Sequence, residues 1–133
     1  MSGAGMDNMQ LEATDRSPAI DFKFDEAVFT ITGESYPEDV STFYGPVTER
    51  LFAWLAEQSP ESVVFNFELI YFNSSSAKVI LGIFDALEEC AERGVNVVVN
   101  WHYDEEDDTM EELGEEFGED LEHATFSMKK FSA

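Results

Sequence analysis

The sequence predicts a single α/β domain in which a mixed, mostly parallel sheet of about five strands is packed by three helices. Three observations point there. The chain has 133 residues, enough for one core and too few for two. Apolar residues make up 44%, so a core can be buried despite the charge. Segments of strand period also alternate with segments of helix period, which implies parallel strands joined by right-handed crossovers.

Residues 1–17 lack periodicity and are expected to form a disordered N-terminal tail, with the domain running over 18–133. Ile20-Asp21-Phe22-Lys23-Phe24 alternates apolar and polar residues and reads as a strand. Asp25-Glu26 is a turn, and Val28 to Thr32 is a second strand, so the two form a hairpin. Gly33 to Asp39 breaks regular structure. A helix then runs from about Ser41 to Gln58, with Phe43, Val47, Leu51, Trp54 and Leu55 at helical spacing. Ser41 or Thr42 can cap it. Pro46 fits only in a first turn, which argues for a later start.

Val63 to Phe72 is the third strand, with Val63, Phe65, Phe67, Leu69 and Tyr71 on one face. After the polar Asn73-Ser74-Ser75-Ser76 turn, a second helix extends to about Arg93, and Gly94 stops it. Its apolar stripe includes Cys90, the single cysteine, which reads as core filling rather than a reactive thiol. Val95 to Tyr103 is the fourth strand; the unbroken Val97-Val98-Val99 suggests cover on both faces. A third helix covers about Asp107 to Phe117, and Thr125 to Phe131 is an edge strand marked by Lys129-Lys130. The expected order is β-β-α-β-α-β-α-β.

Charge narrows the function. The net charge of −22 repels nucleic-acid phosphates and anionic lipid, and steers partners with basic faces toward the chain. No leader peptide or membrane span is visible, so the cytoplasm is expected. The Gly-Lys phosphate loop and the dinucleotide turn are missing, and no cofactor is implied.

The segment Leu69 to Lys78 leaves a buried strand, turns, and enters a helix. Sites in open α/β sheets form beyond the carboxyl ends of strands. The helix N-terminus there offers free N–H groups and a partial positive charge. Asn and Ser are also ordinary caps, and a capped turn alone would account for them.

Three blocks carry a resemblance: Gly33-Glu34-Ser35-Tyr36-Pro37-Glu38, Tyr71-Phe72-Asn73-Ser74-Ser75-Ser76-Ala77-Lys78 with the Leu87-Glu88-Glu89 helix after it, and Asn100-Trp101-His102-Tyr103-Asp104. Together they resemble the SiaC family of bacterial regulatory phosphoproteins over residues 18–130, with Glu111 to Phe117 matching more loosely. That family is similar in fold to STAS domains, the anti-sigma-factor-antagonist type. The resemblance implies a partner-switching role in cyclic-di-GMP and biofilm signalling. The unphosphorylated form would bind and activate a diguanylate cyclase, a kinase of the anti-sigma type would modify the turn, and a PP2C-type phosphatase would reset it.

Carried onto this chain, the resemblance makes Ser74 the phosphoacceptor, with Ser75 as runner-up, supported by Asn73, Ser76 and Lys78. The family pattern has Thr where Ser74 stands. The STAS pattern has Asp and Gly where Asn73 and Ser76 stand, which favours the SiaC branch over true sigma-factor antagonists. Expected partner-binding residues are Tyr36, Pro37, Tyr71, His102 and Tyr103. Lys78, one helical turn after Ser74, could reach a phosphate or be an ordinary surface lysine.

Alternative readings are an anti-sigma-factor antagonist, a purely structural subunit, and a small hydrolase using Ser74, His102 and Asp104. The last lacks Gly-x-Ser-x-Gly and any oxyanion motif. Asp104, Glu106, Asp108, Glu112 and Glu115 fall near calcium-loop spacing, but Thr109 replaces the required Gly.

Overall fold

The structure is a computed structural model that describes residues 7–132. The elements in order are β1 (Met9–Leu11), β2 (Ala19–Lys23), β3 (Val28–Ser35), α1 (Val40–Glu57), β4 (Ser62–Phe72), α2 (Ser74–Glu92), β5 (Asn96–Asp104), α3 (Asp108–Gly118) and β6 (Thr125–Phe131). The strands form one six-stranded sheet in sequential order. β1–β2 and β2–β3 pair antiparallel; β3 through β6 pair parallel. The α/β class and the expected element order hold, with one strand added.

That strand, β1, lies inside the expected tail. Met9 is buried and its strand pairs with β2, so order begins well before residue 18. A three-residue strand is too short to show a period, which is why the sequence hid it. The remainder of the expected tail, residues 1–6, lies outside the described residues.

Because the parallel strands are added in chain order with the same crossover hand, the three helices fall on one face. Burial alternates accordingly. Phe29, Ile31, Val63, Phe65, Phe67, Val97, Val99 and Trp101 are buried, while Val64, Asn66, Val98 and Asn100 are only part-covered. The expectation that Val97-Val98-Val99 is covered on both faces is therefore corrected. Across the uncovered face, Thr30, Asn66 and Asn100 are register partners. Asn100 Nδ2 donates to Asn66 Oδ1 at 2.9 Å, and Asn66 Nδ2 to Thr30 Oγ1 at 3.4 Å. These mutual bonds let a polar row stand in a sheet interior.

α1 begins at Val40, capped by Asp39, whose Oδ1 accepts the Thr42 N–H at 3.1 Å. Pro46 thus lies in the helix interior, not its first turn. It removes one helical bond, to the Thr42 carbonyl, on a solvent-exposed stretch where water can substitute.

β4 carries a bulge. The β3–β4 register steps from Gly33–Leu69 to Glu34–Tyr71, leaving Ile70 as the extra residue. One inserted residue exchanges the faces beyond it. Tyr71 is consequently 51% exposed rather than continuing the inner face, and Phe72 turns inward against Trp101 and Phe117. Gly33 supplies the positive φ of 114° opposite this irregularity.

Candidate functional site

Ser74 is the first residue of α2, and Asn73 caps the helix by accepting the Ser76 N–H at 2.9 Å. The Asn73 N–H donates to the Ser35 carbonyl at 3.0 Å, which fixes the turn to the end of β3. Ser74 and Ser75 are exposed, whereas Ser76 is fully buried.

The three serines therefore do different work. Ser76 accepts a hydrogen bond from Ser35 Oγ at 2.9 Å, and Ser35 Oγ lies 2.5 Å from the Tyr44 hydroxyl. Ser35, Ser76 and Tyr44 form a buried hydroxyl network that joins β3, α1 and α2 beneath the turn. Burial pushes the Tyr44 hydroxyl above its ordinary pKa, against the opposing bond from Ser35, so it stays protonated at neutral pH. Ser76 supports the turn from below and offers no hydroxyl to a kinase.

Around the exposed pair, Pro37, Glu38, Asp39, Val40, Ser41, Asn73 and Ser75 line an open groove. Tyr36 packs edge-on against Tyr71 with ring centroids 5.7 Å apart, and the Tyr36 N–H donates to the Arg16 carbonyl at 2.7 Å. The structure thus gathers Tyr36, Pro37, Tyr71, Asn73, Ser74 and Ser75 at one end of β3 and β4. Lys78 is exposed on the next turn of α2 and pairs with no carboxylate among the described residues.

The other two expected contact residues lie apart. Tyr103 is buried beneath α3, its hydroxyl 3.4 Å from Glu111 Oε2, away from the Ser74 turn. Its place follows from strand parity, since Val97, Val99 and Trp101 share its face. His102 has the opposite parity and stands on the uncovered sheet face beside Lys129. The sheet separates His102 from the helix that begins at Ser74, so the Ser74–His102–Asp104 arrangement is not assembled.

Two carboxylates of the acidic stretch are committed locally. Asp104 Oδ1 accepts the Glu106 N–H at 2.9 Å, and Asp107 Oδ1 caps α3 through the Met110 N–H at 3.0 Å. This is turn and cap chemistry rather than a calcium loop. Cys90 is buried, and that burial pushes its thiol pKa up against the opposing influence of Arg93, as core filling requires.

Two residues outside the expected set matter. Ser35 was legible in principle: it shares parity with Phe29 and Ile31, so it had to face inward. Glu88 was not. Its carboxylate accepts the N–H groups of Glu122, His123 and Ala124 and the His123 Nδ1, all within 3.1 Å. Partial burial alone would raise its pKa, but these donors outweigh it and hold the carboxyl at about 2.

The family model for SiaC family regulatory phosphoproteins matches residues 11–131. The chain belongs to the SiaC family. An uncharacterized protein of Pseudomonas aeruginosa is 34% identical over 116 residues, covering 86% of this chain and 90% of its own. The crystal structure of apo-SiaC from Pseudomonas aeruginosa superimposes with a TM-score of 0.85 at 31% identity, over 93% of this chain and 99% of that one. A chain in the crystal structure of diguanylate cyclase SiaD in complex with its activator SiaC, from the same organism, gives 0.87 at 31% identity, over 92% and 99%. The chain is therefore a member of a regulatory phosphoprotein family. Among the described residues, no helix is long and apolar enough to cross a membrane.

Proposed function

We propose that this SiaC-family chain is a phosphorylation-switched regulator whose unmodified form binds and activates a diguanylate cyclase. Ser74 is the acceptor, and Ser75 the second choice. A kinase of the anti-sigma type adds the phosphate and a PP2C-type phosphatase removes it. The observation that carries the reading is the division within one turn: Ser76 is locked in a buried network while Ser74 stands free at the helix start. The likeness to an activator solved with its cyclase supports the choice of partner.

The switch is local. A phosphate adds roughly −1.5 to −2 of charge. The α2 dipole favours it by only about 0.3–1 kcal/mol. Reversing a two-state balance takes about 5.5 kcal/mol. The dipole cannot refold the domain. A phosphate forced into a partner's interface instead meets desolvation and like-charge costs of several kcal/mol. Tyr36, Pro37 and Tyr71 form the surrounding contact surface, and Lys78 is positioned to receive the phosphate.

The test is cyclic-di-GMP synthesis by a diguanylate cyclase from the same genome, with this chain, its kinase-treated form and Ser74→Ala added in turn. Activation by the untreated protein and by Ser74→Ala, with loss only in the kinase-treated wild type, is expected. Equal activation by the treated and untreated wild-type protein would contradict the proposal.

A further inference from the structure

The β4–β5 register ends at Phe67–Trp101, while β5–β6 pairing continues to Asp104–Phe131. The strands part at this point, and the bulge at Ile70 falls in the opening. The result is a groove of about 820 Å³ lined by Glu68, Ile70, Asp104, Glu106, Asp108 and Phe131, among others. Ile70 is 65% exposed and Phe131 46%, two large apolar side chains in one acidic setting. Among the described residues, neither Lys nor Arg lines it.

We propose that this groove is a second docking surface, which takes a basic segment of a partner protein carrying spaced apolar side chains. The inference rests on the partner-binding reading above and extends it to another face. Charge complementarity selects the occupant. Asp104 and Asp107 each give one oxygen to a turn or cap bond, but Glu68, Glu106 and Asp108 are not so engaged. They would attract ammonium or guanidinium groups while Ile70 and Phe131 receive apolar ones. Alternation along β4 already places Ile70 on the uncovered face with Glu68. The bulge acts on the residue after it: without the extra residue Tyr71 would turn inward. Tyr71 at the Ser74 surface and Ile70 at the groove are thus neighbours along one strand.

The experiment titrates the full chain with a short synthetic peptide of lysines bearing two spaced leucines, followed by calorimetry and amide chemical-shift mapping. A control peptide replaces the leucines with serine. The leucine peptide is expected to bind at least about tenfold more tightly than the serine control. Shifts should centre on Ile70, Asp104 and Phe131. Ile70→Glu should abolish the difference, while Leu81→Glu, at an exposed apolar site on α2, leaves it intact. Should Ile70→Glu lose its fold by circular dichroism, Glu106→Gln with Asp108→Asn replaces it, and must weaken binding and flatten its salt dependence. Equal affinity for both peptides would overturn the proposal, by showing only diffuse attraction to an acidic protein. So would self-association in sedimentation that Ile70→Glu dissolves, since the groove would then seat a second copy. A chain that activates a cyclase yet ignores the leucine peptide keeps the switch and loses the groove; the converse result does the reverse.

Discussion

The two ends of α2 use polar side chains in opposite ways. At the N-terminal end, Ser76 and Asn73 are consumed by the fold, and Ser74 and Ser75 are left over. Toward the C-terminal end, Glu88 takes hydrogen bonds from three consecutive backbone N–H groups and the His123 ring, with nothing held back. Those bonds hold the 119–124 segment that leads into β6. A saturated carboxylate signals architecture; an unsatisfied, exposed hydroxyl beside a rigid support signals binding or modification.

Breaking the Glu88 end should have the largest effect on stability. Glu88→Ala removes the charged acceptor of three N–H groups and the His123 ring at once, and a loss of about 1–3 kcal/mol is expected in urea unfolding, with little change in partner affinity. Glu88→Gln keeps an acceptor and should lose less. Next in size is the buried network beneath the other end. Ser35→Ala leaves the Ser76 and Tyr44 hydroxyls without their shared partner and should cost about 1–2 kcal/mol. Tyr44→Phe removes a hydroxyl outright and should cost about 1 kcal/mol, because fewer buried groups remain unpaired. Either variant should also loosen the Ser74 turn, seen as faster amide exchange at Ser76.

A smaller effect sharpens the contrast through pH. Glu88 has a folded pKa lowered from 4.5 to about 2, so its contribution is full above pH 4.5 and is lost as the pH falls toward 2. The hydrogen bond to Glu88 raises the His123 pKa above 6.5, against the lesser pull of desolvation. Its contribution is full below pH 6.5 and fades as the pH rises through the raised value. Thermal midpoints should therefore peak between these limits, and His123→Gln should remove the alkaline decline. The His123 side chain is 54% exposed, so this second change is slight. Smallest of all, Ser74→Ala should leave the thermal midpoint nearly unchanged, within about 0.5 kcal/mol, as expected of an exposed hydroxyl without structural duty.

The same contrast marks what the sequence could disclose. Strand and helix periods exposed the element order, and the Asn-Ser-Ser-Ser turn stood out as a strand-to-helix junction. Parity carried more than it was asked: it placed Ser35 and Tyr103 inside, though Tyr103 looked like a contact residue in its Trp-His-Tyr-Asp block. The bulge was hidden, because Phe67 to Phe72 reads equally well as uninterrupted alternation until β3 is paired with it. Glu88 was hidden for a different reason. Its partners lie 34 to 36 residues away, and a glutamate on a helix otherwise reads as solvated. Local chemistry was visible, while bonds made by chain return were not.

The most direct test is the affinity of a diguanylate cyclase for this chain with Ser74 changed to Ala and to Asp, measured by calorimetry on proteins of equal thermal midpoint. The account predicts near wild-type affinity for Ser74→Ala and a loss of at least about tenfold for Ser74→Asp. Matching affinities for the two variants would contradict it.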